Sequence, residues 1–349
     1  MTAHLSPRNR PLNLVYCSFA SGLEVRADLP IRALRMRGAN IRTFRNEIGF
    51  MPTVPDNAPK ILLVQRSLNN PDVWPEIMRY AIARDWLVVA ERDDYPVTPV
   101  KSSEAKWNTS MKWDIFSACH AVQTSTESLR TLFLAYNPEV AVFPNQMGEV
   151  PLYRFRDDGK IRLFFGAYNR GGAWRPLLAA INRVIEKYPH IVPVVIHDRE
   201  FHDAIQAPVR EFHDRCSYSD YLQHLASCDV ALLPLEDNVF TRHKSDVKFV
   251  EAGGARTAVI ASPTVYDKTV EHGRTGLIAR TPDEWGQALE QLVLDKQYRE
   301  TLAANAHRYV LNHRMLVDHI GAWVDWYYDL WHRRDALTRA LLERYPAAA

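Results

Sequence analysis

What the 349-residue chain lacks narrows the field first. An excess of one charge is missing: 43 Lys and Arg stand against 41 Asp and Glu, a net of +2, so no global field advertises nucleic acid as a partner. Cysteine is scarce. Cys17, Cys119, Cys216 and Cys228 show neither CxxC nor Cys/His metal spacing, and they read as small reduced core residues of a cytosolic protein. No window approaches the run of about 18 apolar residues that spans a membrane. The apolar run in the leading "MTAHLSPRNRPLNLVYCSF" is too short and interrupted for a signal peptide. There is no short internal repeat, no low-complexity tract, no GxGxxG fingerprint and no Walker loop. The expectation is a cytoplasmic globular protein without a transmembrane segment, with room left for peripheral membrane contact.

What is present is alternation. "LNLVYCSF" (12 to 19) leads to the helix-compatible "EVRADLPIRALRMRG", which Gly38 ends before "ANIRTFRN". "KILLVQRS" (60 to 67), "WLVVAERDD" (86 to 94), "HAVQTST" and "VAVFPN" (140 to 145) continue the β-type runs, with helical stretches between, one opening near Glu127. After "QMGEVPLYRFRDDGK" the pattern restarts. "IRLFFGAY" (161 to 168), "VPVVIHD" (192 to 198), "VALLPL" (230 to 235) and "TAVIAS" (257 to 262) alternate with helices expected at 173 to 187, 219 to 227 and 246 to 252. From Pro282 onward two or three helices follow, the last rich in Trp and Tyr. Apolar runs alternating with helices predict parallel sheets covered on both faces. The length exceeds most single cores. The fold expected is α/β, with two Rossmann-like doubly wound parallel-sheet domains at 1–150 and 151–319 facing across a cleft, and a C-terminal helix near 320–349 free to pack back on the first.

In such sheets ligands bind outside the carboxyl ends of the strands, which picks out the loops that follow them. The turn "FFGAYNRGGAW" joins a strand to a helix with Pro176 in its first turn. Gly166, Gly171 and Gly172 permit close backbone approach, and Arg170 offers a fork for phosphate. In "RHKSDVKFVEAGG" (242 to 254), Lys244, Lys248 and Glu251 share one helix face. Ser245 or Asp246 is placed to cap the start and Gly253 and Gly254 to end it. Alone, the segment reads as an exposed amphipathic helix with a Lys–Glu pair. Together with the Arg170 turn, it describes a nucleoside diphosphate pocket in which Glu251 holds ribose hydroxyls. In the first half, Glu91, Asp93 and Asp94 in "VVAERDDYP" are placed to orient an acceptor hydroxyl or take its proton, or to hold Mg²⁺. Gly22 and Arg26 follow the first strand. Trp107 and Trp113 could line a sugar or simply pack. His197 and His202 lack a clear third ligand.

Over residues 161 to 279, "RLFFGAYNRGG", "SCDVALLPL" and "HKSDVKFVEAGGARTAVIASPTVYDKTVEHGRTGLIA" resemble the GT-B glycosyltransferases, particularly the retaining glycosyltransferase family 4. In the N-terminal half "DDYP", "TST" and "VFPN" give a weaker likeness. The resemblance implies a hexosyltransferase-like enzyme, independent of metal and other cofactors. It would move a sugar from a nucleoside diphosphate sugar, UDP favoured over GDP, to a hydroxyl of a glycan, lipid-linked or protein acceptor in glycan biosynthesis. It places Arg170 and Lys248, with Lys244 and Ser245, at the diphosphate and Glu251 at the ribose. His197 to Glu200 and Cys216 to Tyr218, including Ser217, fall around the base. Gly22, Arg26 and Glu91 fall at the acceptor. Two departures stand out: His243 occupies the place of the family's first glutamate, with Glu236 or Asp237 as substitutes, and Glu91, Asp93 and Asp94 stand in place of an N-terminal histidine. The rival readings are an inverting GT-B transferase with Asp93 or Asp94 as base, and a nucleotide-sugar-binding scaffold without catalysis.

Overall fold

A computed structural model describes residues 11–19, 24–49, 51–55, 57–66, 73–96, 116–153, 156–166 and 172–349. The chain forms two compact units: Met1–Asn145 with Leu316–Ala349, and Gln146–Met315.

The first unit is built on a six-stranded sheet of order β2-β1-β3-β4-β5-β6, all parallel. Its strands are β1 (Asn13–Ser18), β2 (Asn40–Arg45), β3 (Lys60–Gln65), β4 (Leu87–Arg92), β5 (Ala121–Thr124) and β6 (Val140–Val142). Alternate side chains of β1 feed two cores: Val15 and Cys17 enter one, Leu14 and Tyr16 the other. Burial on both faces explains why β1, β3 and β4 read as unbroken apolar runs. The edge strand β2 is polar and largely exposed, as an edge needs to be. The helix Leu29–Met36 ends at Gly38, whose φ is +86°. Gly38 N–H donates to Arg35 O and Ala39 N–H to Leu34 O, closing a Schellman motif. The aromatic helix Leu316–His332 completes this unit, with Trp323 stacked on Phe143 at 4.5 Å between centroids. Tyr327 Oη donates to Gln123 Oε1 at 2.7 Å.

The second unit has strand order β12-β11-β10-β7-β8-β9, again parallel. The strands are β7 (Ile161–Gly166), β8 (Ile191–Ile196), β9 (Glu211–His213), β10 (Val230–Leu233), β11 (Ala258–Ala261) and β12 (Leu277–Ile278). The order reverses between β7 and β10, the switch point where doubly wound sheets take ligands. Phe164 packs on one face; Leu163 and Phe165 pack on the other.

Several local expectations are corrected. The helix at 173 to 187 opens as a 3₁₀ turn, Arg175–Leu177, before Leu178–Lys187. Four helices follow Pro282, because Asp295 breaks the run and its side chain caps the next helix at Tyr298 N–H. Gly253 and Gly254 do not stop their helix. They lie inside Val247–Gly254, and Arg256 at φ +60° supplies the left-handed residue after it.

The two glycines serve packing instead. A Cβ on Gly253 would stand 2.9 Å from Val310 Cγ2 and 3.1 Å from the Ala306 carbonyl oxygen; one on Gly254 would stand 2.1 Å from Met147 Sδ. The helix Lys296–His313 crosses there, and His307 Nδ1 lies 3.1 Å from both glycine carbonyls. A backbone carbonyl cannot swing aside as a side chain can. Gly253→Ala should therefore cost about 1–3 kcal/mol through overpacking. That is a fall of roughly 2–10 °C in Tm for the second unit, readable by calorimetry; an unchanged Tm would remove the packing role.

Candidate functional site

Near the carboxyl ends of β7 and β10 the structure brings together Lys248 and Glu251, both singled out from sequence. Lys248 projects from the helix Val247–Gly254, and its Nζ donates to Glu251 Oε2 at 2.8 Å and to Tyr221 Oη at 3.0 Å. The ammonium also lies 4.1 Å from the centroid of the Tyr221 ring. Glu251's side chain is 3% exposed and Lys248's 20%, so the carboxylate is shielded and the cation reaches outward. Tyr221, from the helix Tyr218–Ala226, meets Phe164 of β7 edge to face at 5.5 Å. Gly166 lets this happen, because a Cβ there would fall 2.7 Å from the Phe164 ring and 2.9 Å from Tyr221. Tyr221 was not found from sequence, since no spacing rule links one helix to a lysine 27 residues away.

The loop before Lys248 is shaped by its own side chains. Asn238 and Thr241 exchange backbone-to-side-chain hydrogen bonds, and Thr241 Oγ1 donates to Glu236 O at 2.6 Å. Ser262 Oγ accepts from Leu235 N–H at 2.9 Å. His243 sits in the 3₁₀ turn Thr241–His243 with Nδ1 2.6 Å from Val239 O. Lys244 Nζ lies 4.4 Å from the Phe240 ring. Asp237 is taken up by Arg242 at 2.6 and 2.8 Å. Asp246 stands at the N-cap position but makes no side-chain cap. Its carboxylate instead receives Arg314 at 2.6 and 2.8 Å and Thr269 Oγ1 at 2.8 Å. Burial pushes Asp246 up, and the hydrogen bonds and charge of Arg314, with Thr269, outweigh it and hold its pKa below the usual carboxylate range.

His197 follows β8 at φ +70° and is exposed. Asp198 then caps the short helix Arg199–Ala204, and Ser217 caps Tyr218–Ala226. Tyr218 stacks on Tyr221, 6.3 Å between centroids and 10° from parallel. Gly22, Trp107, Trp113, Arg170 and Gly171 lie outside the described residues.

At the carboxyl ends of β3 and β4, Arg66 at φ +55° clamps both aspartates. Its Nε donates to Asp93 Oδ1 and its Nη2 to Asp94 Oδ2, each at 2.8 Å. Burial pushes Asp93 up, but Arg66, Arg26 and Arg92 together hold it well below the usual carboxylate range. Arg26 and Glu91 are 4% and 1% exposed. Arg26 Nε donates to Glu91 Oε1 at 2.7 Å, its Nη1 donates to the Phe143 carbonyl, and Gln123 Nε2 donates to Glu91 Oε2. Both side chains lie inside the fold, whereas Arg66, Asp93 and Asp94 are partly exposed at this strand end. Among the described residues no His/Cys/Asp/Glu group could hold a metal ion, and no helix is long and apolar enough to cross a membrane.

Residues 175–322 match a family model described as glycosyl transferase-like. Anabaena HepE, solved with UDP and glucose, is similar at a TM-score of 0.63 and 14% identity over 90% of this chain and 98% of that one. Sucrose-phosphate synthase from Thermosynechococcus elongatus is similar at 0.64 and 14% over 93% and 99%. A variant of S. aureus TarM, solved with fondaparinux, alpha-GlcNAc-glycerol and UDP, is similar at 0.58 and 9% over 78% and 55%, so the chain spans 55% of that protein's length. No curated protein sequence matches. The fold is GT-B, with two Rossmann-like domains, and the second domain is glycosyl transferase-like over the matched residues.

The Asp246–Arg314 pair sets the position of the lysine-bearing helix, and its removal is measurable. Asp246→Asn leaves a buried guanidinium without its charge partner and should cost about 3–5 kcal/mol. Because Asp246's pKa is depressed on folding, its contribution is present above the unfolded value of about 3.9 and lost as pH falls through the lower folded value. Denaturant titrations at pH 7 and pH 3 should therefore show a smaller gap between wild type and Asp246→Asn at the lower pH. An equal gap would sever the link.

Proposed function

We propose that the protein is a glycosyltransferase that moves a sugar from a nucleoside diphosphate donor, UDP favoured over GDP, to an acceptor hydroxyl with retention. The observation that carries this reading is the Lys248–Glu251–Tyr221 cluster at the strand-order reversal of the second sheet. HepE and TarM, similar in fold, were each solved with UDP, which supports the choice of base.

The chemistry requires charge separation: the sugar becomes oxocarbenium-like while the diphosphate gains negative charge. Lys248, with Arg170, Lys244, Ser245 and the N-terminus of Val247–Gly254, would receive that charge. Their cations serve where a metal otherwise would, so the donor needs none. Glu251, hydrogen-bonded by Lys248, accepts from two vicinal ribose hydroxyls. His197, Ser217 and Tyr218 border the base, and His243 faces the sugar choice that a glutamate makes elsewhere in the resembling family. In a retaining transfer the acceptor attacks from the leaving-group side, and a phosphate oxygen can take its proton. Asp93, held ionised by Arg66, is a weak base, which disfavours an inverting reaction using it.

In a thermal-shift screen UDP should raise Tm more than GDP, ADP or dTDP, since a ligand of the native state stabilises it. No shift with any of the four would sink the reading. With a UDP-sugar and a supplied acceptor, Lys248→Ala should lower kcat/KM by about 10²–10³, and Glu251→Ala should abolish most of the UDP shift. Tight UDP binding without transfer to any acceptor would point to a scaffold instead. Asp94→Asn should change kcat less than tenfold and leave the product anomer matching the donor; a loss of about 10²–10⁴, the worth of a general base, with an inverted product, would replace retention by inversion.

A further inference from the structure

A polar pocket lies at the opposite end of the same sheet from the Lys248 cluster. It encloses about 260 Å³ beside the amino ends of β7, β10 and β11, where Ile161, Asp229 and Arg256 stand. Arg156, Lys160, Arg162, Arg256, Lys296 and Arg299 line it, against only three carboxylates, Asp157, Asp229 and Glu300.

Those carboxylates do not neutralise the wall. Asp229 Oδ2 accepts from the Arg162 backbone N–H at 2.7 Å, and Glu300 is 3.9 Å from Lys296. Arg299 is 7% exposed, and its Nη1 donates to the Leu292 carbonyl. Among the described residues neither Arg299 nor Arg256 has a carboxylate within ion-pair distance. Arg162 is 8% exposed. Asp158 takes its Nη1 and Nη2 at 3.2 and 2.7 Å, and its buried Nε has no hydrogen-bond partner. A nearly buried guanidinium without full pairing is costly. An oxyanion in the pocket would supply what is missing.

Arg256 gives an independent sign. It occupies the left-handed position after the helix Val247–Gly254 at φ +60°, a conformation that favours glycine. Strain of this kind collects where a side chain is needed. Its guanidinium lies 5.1 Å from the ring centroid of Tyr153 at the pocket rim.

We propose that this pocket binds a phosphate monoester, at a site separate from the donor site. Several arginine forks suit a tetrahedral oxyanion with three acceptor oxygens better than a single carboxylate. The phosphate can come from a soluble sugar phosphate or from a lipid headgroup, and the experiment separates them.

Calorimetric titration of the intact chain with glucose 6-phosphate forms one arm, and co-sedimentation with phosphatidylcholine vesicles containing phosphatidic acid forms the other. Each is run on wild type, Arg256→Gly, Lys160→Ser and Lys248→Ala. Glycine suits the backbone at 256 and Lys160 is exposed, so both pocket variants should keep the wild-type Tm; should Arg256→Gly lose it, Lys160→Ser alone decides. Binding in either arm that weakens at least tenfold in the pocket variants and persists in Lys248→Ala supports the proposal and names the source. No binding in either arm overturns it. So does binding that is indifferent to the pocket variants, or that disappears with Lys248→Ala.

Discussion

The bidentate pair between Arg314 and Asp246 governs how the second unit presents the helix that carries Lys248 and Glu251. An aspartate at an N-cap position ordinarily folds its carboxylate over the first helical amides. Here Arg314 and Thr269 draw it away, and the helix Val247–Gly254 starts without that cap. The consequence is electrostatic as well as structural. A capping carboxylate would place negative charge where the helix dipole is positive and where an anion would approach. With Asp246 turned to Arg314, the helix start keeps its attraction for a phosphate. The two buried ions lose solvation, and the three hydrogen bonds to Asp246 offset part of that cost.

The same helix is held at its other end by the absence of side chains. Gly253 and Gly254 bring Lys296–His313 close enough for His307 to reach their carbonyls. Arg256 then reverses the chain toward β11, with Thr257 N–H bonding Ala252 O and Arg256 N–H bonding Gly253 O. Between these anchors, Lys248 and Glu251 are one turn apart and face Tyr221. A short helix fixed at both ends keeps a charged pair in place without burying the lysine.

The parts of this arrangement legible in the sequence were those written locally. Strands such as "KILLVQ" and "VALL" are buried on both faces and so appear as apolar runs. Gly38 and Pro282 mark helix ends by their own chemistry. The three-residue β9 and two-residue β12 were not legible, because so few residues carry no period. Nor were the short helices Arg199–Ala204 and Pro263–Tyr266. The Gly-Gly pair was misread because glycine signals both a stop and a close approach, and only the crossing helix decides between them. Lys248 and Glu251 were legible as one face of a helix. Tyr221, Arg66 and Arg314 were not, since each acts across sequence gaps that no periodicity spans.

Arg66 bears most on the chemistry. A pair of adjacent aspartates after a strand suggests a base or a metal site, and here a single guanidinium lies between the two carboxylates. It occupies an oxygen of each carboxylate and, against the effect of burial, keeps Asp93 ionised with Arg26 and Arg92. A carboxylate stabilised this far is a poor proton acceptor, because the same interactions that lower its pKa oppose its protonation. Beneath it, Arg26 and Glu91 neutralise each other within a network reaching Gln123 and Tyr327. The first unit thus holds fixed, internally balanced charge at its strand ends. In the retaining transfer proposed above, the proton of the acceptor hydroxyl would pass to the departing phosphate and not to Asp93, whose ionised form these interactions favour.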